Sequence, residues 1–480
     1  VLAKSIVVAI VFIPQIGSGQ TFHPDIPKVW DDKEVARIEL PLAQRDRSPR
    51  YLTEKEYYAR KVRIIYRTYP IYAPGRVPAG YLDELRKKEP EVIVFDESSL
   101  RTKDDWIRAG EAVFEDSQSP VPIGPEGFRV PPGGPVTREG IVLSDRCVIR
   151  KKGLVEQSLG TACAACHTRV LPDGTALKGG QSDVAVQPFF AGLLRRANPE
   201  AARKLRERDW INSGAPWIAP REEFDKLTNQ ELATRYDAMP VGVLERQGTS
   251  SAFPVRVPSL IGIENIKYLD ASGLVHHRSI GDLMRYDIIN TGLDLTAHFG
   301  DFQPSPNNGN ETRYSDEQLY ALALYLYSLK PPPNPNPFDA RARRGQQIFE
   351  KQGCAGCHTP PLYTNNKLTP ALGFEVPADL RASEDIMDVS VGTDPGLATR
   401  TRRGTGFYKV PSLRGVWCRD AFGHSGQAVT LEEWFDSGRL KADYVAKGFR
   451  LGPGPIQGHA FGLNLGPEDK LALIAFLKTL

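Results

Sequence analysis

Methionine is scarce in this 480-residue chain, at three residues, and histidine nearly so, at eight. The charge is almost balanced, at +3. That balance excludes a protein that holds nucleic acid by a strong basic field. Beyond residue 20 no apolar run approaches the roughly 20 residues that a membrane-crossing helix needs, which excludes a transmembrane span in the mature chain. The one run of note is Ile6 to Ile13, preceded by Lys4 and followed by Pro14 and Gly17-Ser18-Gly19. A cation, a short apolar stretch and small residues in that order form a secretory signal. Residues 1–20 are therefore read as a signal peptide, with an uncleaved anchor as the alternative, and the mature protein as periplasmic or otherwise exported. The composition carries no disorder signature, but 39 prolines and 43 glycines predict many turns and long connections.

Cysteine is also sparse, and four of the six fall in two copies of one motif: Cys163-Ala-Ala-Cys166-His167 and Cys354-Ala-Gly-Cys357-His358. The spacing puts both thiols on one side of a helical turn, placed to bond to two porphyrin vinyl groups, and the next residue projects an imidazole onto the iron. Cys163, Cys166, His167, Cys354, Cys357 and His358 thus predict two covalently bound haem c groups, with His167 and His358 as proximal ligands. Covalent attachment follows export, in agreement with the signal pattern. A single copy could equally hold zinc or work as a redox dithiol. Cys147 and Cys418 remain, either paired in an oxidising compartment or as two separate buried thiols.

The segments around the motifs repeat one plan. In the second copy, a proline linker from Pro331 to Pro335 is followed by a predicted helix over 339–351, the haem motif, and a closing helix over 466–480. In the first, a predicted helix over 104–115 places Gly110 and Phe114 where Gly345 and Phe349 stand; a long insertion follows, then the motif, then a closing helix over 315–330 with Ser315 as N-cap. Between motif and closing helix each copy carries Val-Pro-Ser-Leu (257–260 and 410–413), a histidine (His277, His424) and a short helix-like stretch (280–289, 430–435). This is an internal duplication. Residues 21–102 belong to neither copy. Tyr57, Tyr58, Ile64, Ile65, Tyr66, Tyr69, Tyr72 and Tyr81 make them an aromatic-rich packing arm. The fold class expected is mainly α: two cytochrome c-like haem domains, 103–333 with the insertion and 334–480, and an irregular N-terminal arm, 21–102.

The sixth iron ligand separates electron transfer from chemistry at an open haem. Met284 lies on the apolar face of a helix; Met239, before Pro240, and Met387 are loop candidates. Histidine is the better supply. His459, in Gly-His-Ala-Phe-Gly before the last helix, is the expected distal ligand of the second haem. His298 holds the parallel place before the first closing helix, with an open face as the alternative there. His276, His277 and His424 read as buried residues that order the VPSL loops or bond propionates. Should the first haem be open, His277, Asp282 and Arg285 are the candidate distal acid or base. Trp210, Trp217, Trp417 and Trp434 could lie between the haems.

Three further stretches carry a resemblance: Lys409-Val-Pro-Ser-Leu-Arg-Gly415, Phe422-Gly-His-Ser-Gly426 and Thr430-Leu-Glu-Glu433. From about Lys103 to Leu480 the sequence resembles the di-haem cytochrome c peroxidase superfamily, which includes the methylamine-utilisation di-haem enzymes and the rubber-cleaving oxygenases. The resemblance implies two haems in two packed domains, and allows a calcium ion between them with no ligand assigned. The peroxidases place a methionine ligand where this chain has residues near Gly438, and a reversible histidine ligand soon after the first motif, where this chain has none until His276. The closing Gly458-His-Ala-Phe-Gly-Leu463 is more similar to the oxygenase branch, in which a late histidine ligates the second haem. The expectation is an exported electron-transfer cytochrome served by a small redox protein or a quinol-linked donor or acceptor. Peroxide reduction or dioxygen activation at the first haem is the rival, and a haem-based sensor a second.

Overall fold

The computed structural model describes residues 21–117, 119–130, 134–158, 163–306 and 312–480; the signal-peptide reading falls on 1–20, outside them. Two crossing helix pairs organise the rest. Lys103–Phe114 crosses Asp316–Ser328, and Ala340–Lys351 crosses Pro467–Lys478. Each crossing is set by a glycine. A Cβ on Gly110 would lie 1.9 Å from the Ala321 carbonyl oxygen, and a Cβ on Gly345 the same distance from that of Ala472. Beside them Phe114 meets Tyr325 and Phe349 meets Phe476, both at 5.3 Å between ring centroids. Matched glycines, matched carbonyls and matched aromatic pairs are the three-dimensional form of the repeat read in the sequence.

Local signals fix the ends of these helices. Ser315 caps its helix through a capping box with Gln318, Thr102 does the same with Asp105, and Asp339 accepts from the Ala342 amide. The longest buried run among the described residues, Gln318 to Leu326, lies on Asp316–Ser328, and its apolar members belong to the main core.

Helices predominate among the described residues, but the insertion is not irregular. Ile141–Lys151 and Leu154–Ser158 form a hairpin through Gly153, at φ +81°, and the antiparallel sheet is completed by Thr68–Tyr72 on one side and Pro120–Pro122 on the other. The β-branched run in 141–151 is the strand signal that the proline- and glycine-rich composition hid. One of the four strands comes from the arm. Elsewhere the arm puts Trp30, Ile38, Tyr57 and Ile65 into the main core, and Leu40 into a second cluster with Tyr268 and Leu368. It therefore packs against residues of both repeats.

Cys147 is buried in the sheet, its thiol near the carbonyls of Tyr69 and Pro70, while Cys418 closes a turn near the Gly415 carbonyl. Both are free thiols. No described helix is long and apolar enough to cross a membrane.

Candidate functional site

Both Cys-x-x-Cys-His motifs adopt the turn their spacing predicts. Cys163–Cys166 is a single α-turn and Cys354–Gly356 a 3-10 turn. The amide of His167 donates to Cys163 O (3.0 Å), and that of His358 to Cys354 O (2.8 Å). The thiols sit in apolar surroundings. Burial, and behind it the charge of Asp287, pushes Cys163 up to about 12; burial raises Cys166, Cys354 and Cys357 as well. Redox dithiols and zinc thiolates need the opposite shift. Among the described residues no group of three or more histidine, cysteine or carboxylate side chains could hold a metal ion by itself. The motifs are thus unlike zinc or dithiol sites.

The imidazoles that follow the two motifs are oriented alike. His167 Nδ1 lies 3.1 Å from the Pro258 carbonyl, and His358 Nδ1 lies 3.1 Å from that of Tyr363 with the Pro411 carbonyl also against it. A carbonyl only accepts, so Nδ1 carries the proton and Nε2 keeps a lone pair. Burial lowers His358 and pulls His167 down to about 4, which keeps both rings neutral. The two VPSL tetrapeptides supply this orientation. Ser259 and Ser412 donate to the Gly179 and Leu362 carbonyls and accept from the amides of Ile261 and Arg414. Five residues after each valine, a left-handed glycine, Gly262 or Gly415, opens a 3-10 turn.

Opposite His358 stands His459. Their ring centroids are 6.2 Å apart. Two imidazoles that bind one metal from opposite sides at about 2.0–2.1 Å per bond place their centroids roughly that far apart. Burial, then the neighbouring His358, pulls His459 down to about 4, and its Nδ1 is buried without a partner. The crevice between the rings is lined by Cys354, Cys357, Phe349, Leu431, Trp434 and Leu473, among others. Its walls also carry three cations, Arg256, Lys409 and Arg419. Burial, with Arg419 as like-charged neighbour, pulls Arg256 down to about 9; burial pulls Lys409 down to about 8 and lowers Arg419. Arg419 Nε has no partner. None of the three is salt-bridged to a carboxylate among the described residues, though Asp270 is near enough to Lys409 to offset part of its burial; cations withdrawn from water in this way are costly unless an anion joins them. Apolar walls, facing imidazoles and cations that no carboxylate salt-bridges fit a haem with its two propionates. Arg256 and Lys409 each precede a VPSL, a repeat signal that the sequence reading passed over.

The other candidates are placed as follows. Met387 lines the same crevice with its sulfur 4.0 Å from Cys357 Sγ, beside a motif thiol. Met239 and Met284 are core residues in separate clusters. His298 is exposed and its backbone bridges to Arg50, which removes the expected burial of an iron ligand. His277 is buried, with Nδ1 on the Ile266 carbonyl and Nε2 on the Tyr327 hydroxyl. His276 joins Arg37 O to Glu384, and His424 joins Asp394 to Gln427. Asp282 pairs with Arg278 and Arg285, and Arg285 also donates to the Val29 and Lys28 carbonyls. Those two residues fasten the arm. Trp434 packs on His459 at 5.5 Å, whereas Trp210 and Trp217 belong to an aromatic cluster with Phe224, Phe299 and Phe302.

One acid on the same helix was missed in the sequence. Asp287 has a fully buried Oδ2 with no hydrogen-bond partner, and burial alone raises it to about 8. It is close enough to Cys163 and Tyr327 for its charge to push both upward. It stands eight residues past Ser279, the N-cap position of Ile280–Asn290. Gly438 stands eight past Thr430, the matching N-cap position in the other copy. That register was the available signal.

The two haem motifs are joined by a polar seam. Arg169, two residues after His167, donates to Cys418 O and Asp420. Gln181 bridges Val257 O and the Asp420 amide, and Arg256 donates from Nε to Gly423 O. The segment from Arg256 to Pro258 thus touches the wall of one site and the proximal histidine of the other.

No family model matches the chain, and no curated protein does. Solved structures do. Hydrazine synthase from Kuenenia stuttgartiensis is 16% identical over 63% of this chain and 95% of that one, with a TM-score of 0.32. A MauG-like protein associated with microbial copper homeostasis is 17% identical over 47% and 73%, at 0.31. The dihaem peroxidase BthA from Burkholderia thailandensis is 15% identical over 82% and 90%, at 0.30. At that distance the functional reading rests on the residues of this chain.

Proposed function

We propose that this chain is an exported c-type cytochrome that carries two covalently bound haems and passes electrons through them. The observation that carries the reading is the His358–His459 pair, which faces across an apolar crevice at the separation of a doubly ligated metal. Cys354 and Cys357 would anchor the second haem, and Arg256, Lys409 and Arg419 would neutralise its propionates. Two strong imidazole ligands leave an iron no site for substrate, so this haem is an electron conduit. Cys163, Cys166 and His167 would hold the first haem. The two domains are 103–333 and 334–480, preceded by the arm. The partner is a small redox protein or a quinol-linked donor or acceptor in the periplasm, and a calcium ion between the domains belongs to the same reading.

A second reading has its own observation. Asp287, unpaired and protonated at neutral pH, stands beside Cys163, where the other candidates are already engaged elsewhere. A neutral carboxyl beside an open haem can give a proton to the leaving oxygen of hydrogen peroxide. Two electrons delivered through the second haem, with two protons, would take one peroxide to two waters. Dioxygen activation on an organic substrate is the variant of this reading that the oxygenase resemblance suggests.

Optical and EPR spectra of the purified holoprotein, oxidised and half-reduced, before and after hydrogen peroxide, decide between them. Two low-spin haems that peroxide leaves unchanged are expected of a carrier. One high-spin haem that peroxide converts would make the first site reactive. A protein that binds no covalent haem would end both readings.

A further inference from the structure

The loop that carries His459 is held by an unusual residue. Arg439 is 0% exposed, and no carboxylate is hydrogen-bonded to it. Its guanidinium donates instead to four backbone carbonyls: Trp434 from Nε, Ile456 from Nη1, and Gly458 and His459 from Nη2. The indole of Trp434 lies under it at 4.7 Å and touches the His459 ring on its other side. Burial lowers the affinity of Arg439 for its proton, with Tyr444 and Asp436 the charges nearest to offset this. Four of the five rigid donors on one planar group are spent on backbone carbonyls, three of them in the loop that carries His459.

What the guanidinium holds is itself strained. His459 has φ +51°, a left-handed conformation that side-chain-bearing residues seldom adopt. Gly458 before it is at φ +81°, and a Cβ there would meet the Thr393 amide at 2.5 Å. On the far side the His459 amide donates to Val391 O (2.7 Å). A free loop would relax such backbone. It persists here because the His459 carbonyl is tied to Arg439 and its amide to Val391.

We propose that Arg439 is the positioning residue of the second site: it fixes His459 in the left-handed conformation that aims its imidazole at His358, and so keeps this haem six-coordinate and closed to outside ligands. The proposal deepens the reading that His459 ligates the second iron, and rests on it. No other residue in the chain donates to both Gly458 and His459 carbonyls among the described hydrogen bonds.

The test compares holoprotein with its Arg439→Gln, Arg439→Lys and His459→Ala variants by low-temperature EPR of the oxidised form and carbon monoxide titration of the reduced form, with haem content and far-ultraviolet circular dichroism as checks of folding. The wild type is expected to bind no more than one carbon monoxide per two haems. Arg439→Gln should bind one more per chain and convert part of the low-spin signal to high spin. Arg439→Lys keeps the cation, and with it the fold, but has too few and wrongly spaced donors; it should show the same change to a smaller degree, and serves where the glutamine variant fails to load haem. His459→Ala should gain the same site, with added imidazole restoring the low-spin signal. A folded Arg439→Lys or Arg439→Gln variant that stays low-spin and gains no carbon monoxide would overturn the positioning role. A His459→Ala variant with an unchanged low-spin spectrum would overturn the ligation reading beneath it.

Discussion

Gly345 lies against the carbonyl of Ala472 so closely that a methyl group would sit 1.9 Å from its oxygen. The same is true of Gly110 and Ala321. Such a contact admits no side chain, and the helices can part only by losing the aromatic packing beside it. Gly345→Ala and Gly110→Ala should each destabilise the fold by about 1–3 kcal/mol, at the upper end because both obstacles are backbone. Thermal unfolding followed at the Soret band and by circular dichroism measures this. Equal stability in either variant would mean that the crossing can open freely.

The arm is fastened by charge. Asp282 and Arg285 are 1% and 4% exposed, and Arg285 reaches the Val29 and Lys28 carbonyls. Arg285→Met removes the bonds to the Val29 and Lys28 carbonyls but leaves Asp282 paired with Arg278, and should cost about 1.5–3 kcal/mol. Limited proteolysis should then cut within 21–60 well before the helix pairs. A variant that loses peroxide chemistry at unchanged stability would return Arg285 to the distal candidates.

Asp287 links stability to pH in a direction that can be read. Its folded affinity, raised to about 8, exceeds that of an unfolded aspartate at about 3.9. Between those values the folded chain holds a proton that the unfolded chain releases, so the stability this group allows falls as pH rises from about 4 to 8. Asp287→Asn removes that slope. Its advantage in melting temperature over the wild type should therefore grow across the same window, while any peroxide-driven spectral change slows by about 100-fold or more. Parallel melting curves from pH 4 to 8 would show that Asp287 is paired in the holoprotein.

Arg256 and Arg419 bring positive charge into the wall of the second crevice. A cation near a haem favours the reduced, less positive iron. Arg256→Gln and Arg419→Gln should each lower the reduction potential of the second haem by on the order of 1 kcal/mol, about 40 mV for one electron. A spectroelectrochemical titration that resolves the two haems is the measurement. No movement of either potential would place the propionates elsewhere.

Much of this was written in the order of residues. Cys-x-x-Cys-His names its own cofactor chemistry because thiol spacing and the adjacent imidazole are local facts. Gly110 and Gly345, Phe114 and Phe349, and the two VPSL turns could be matched by counting, and the helix ends followed from Ser315, Asp339 and the apolar faces. His459 was singled out by its place before the last helix. Tertiary structure decided the rest, since it concerns residues distant in sequence. Only folding brings the His459 ring within 6.2 Å of that of His358, leaves His298 on the surface, and ties Arg285, itself held by Asp282, to an arm some 250 positions away. The sheet in the insertion needed a strand from that arm to be complete. Asp287 and Arg439 looked ordinary in the sequence, because a charge becomes informative only when burial removes its water and the neighbours that would pair it can be seen.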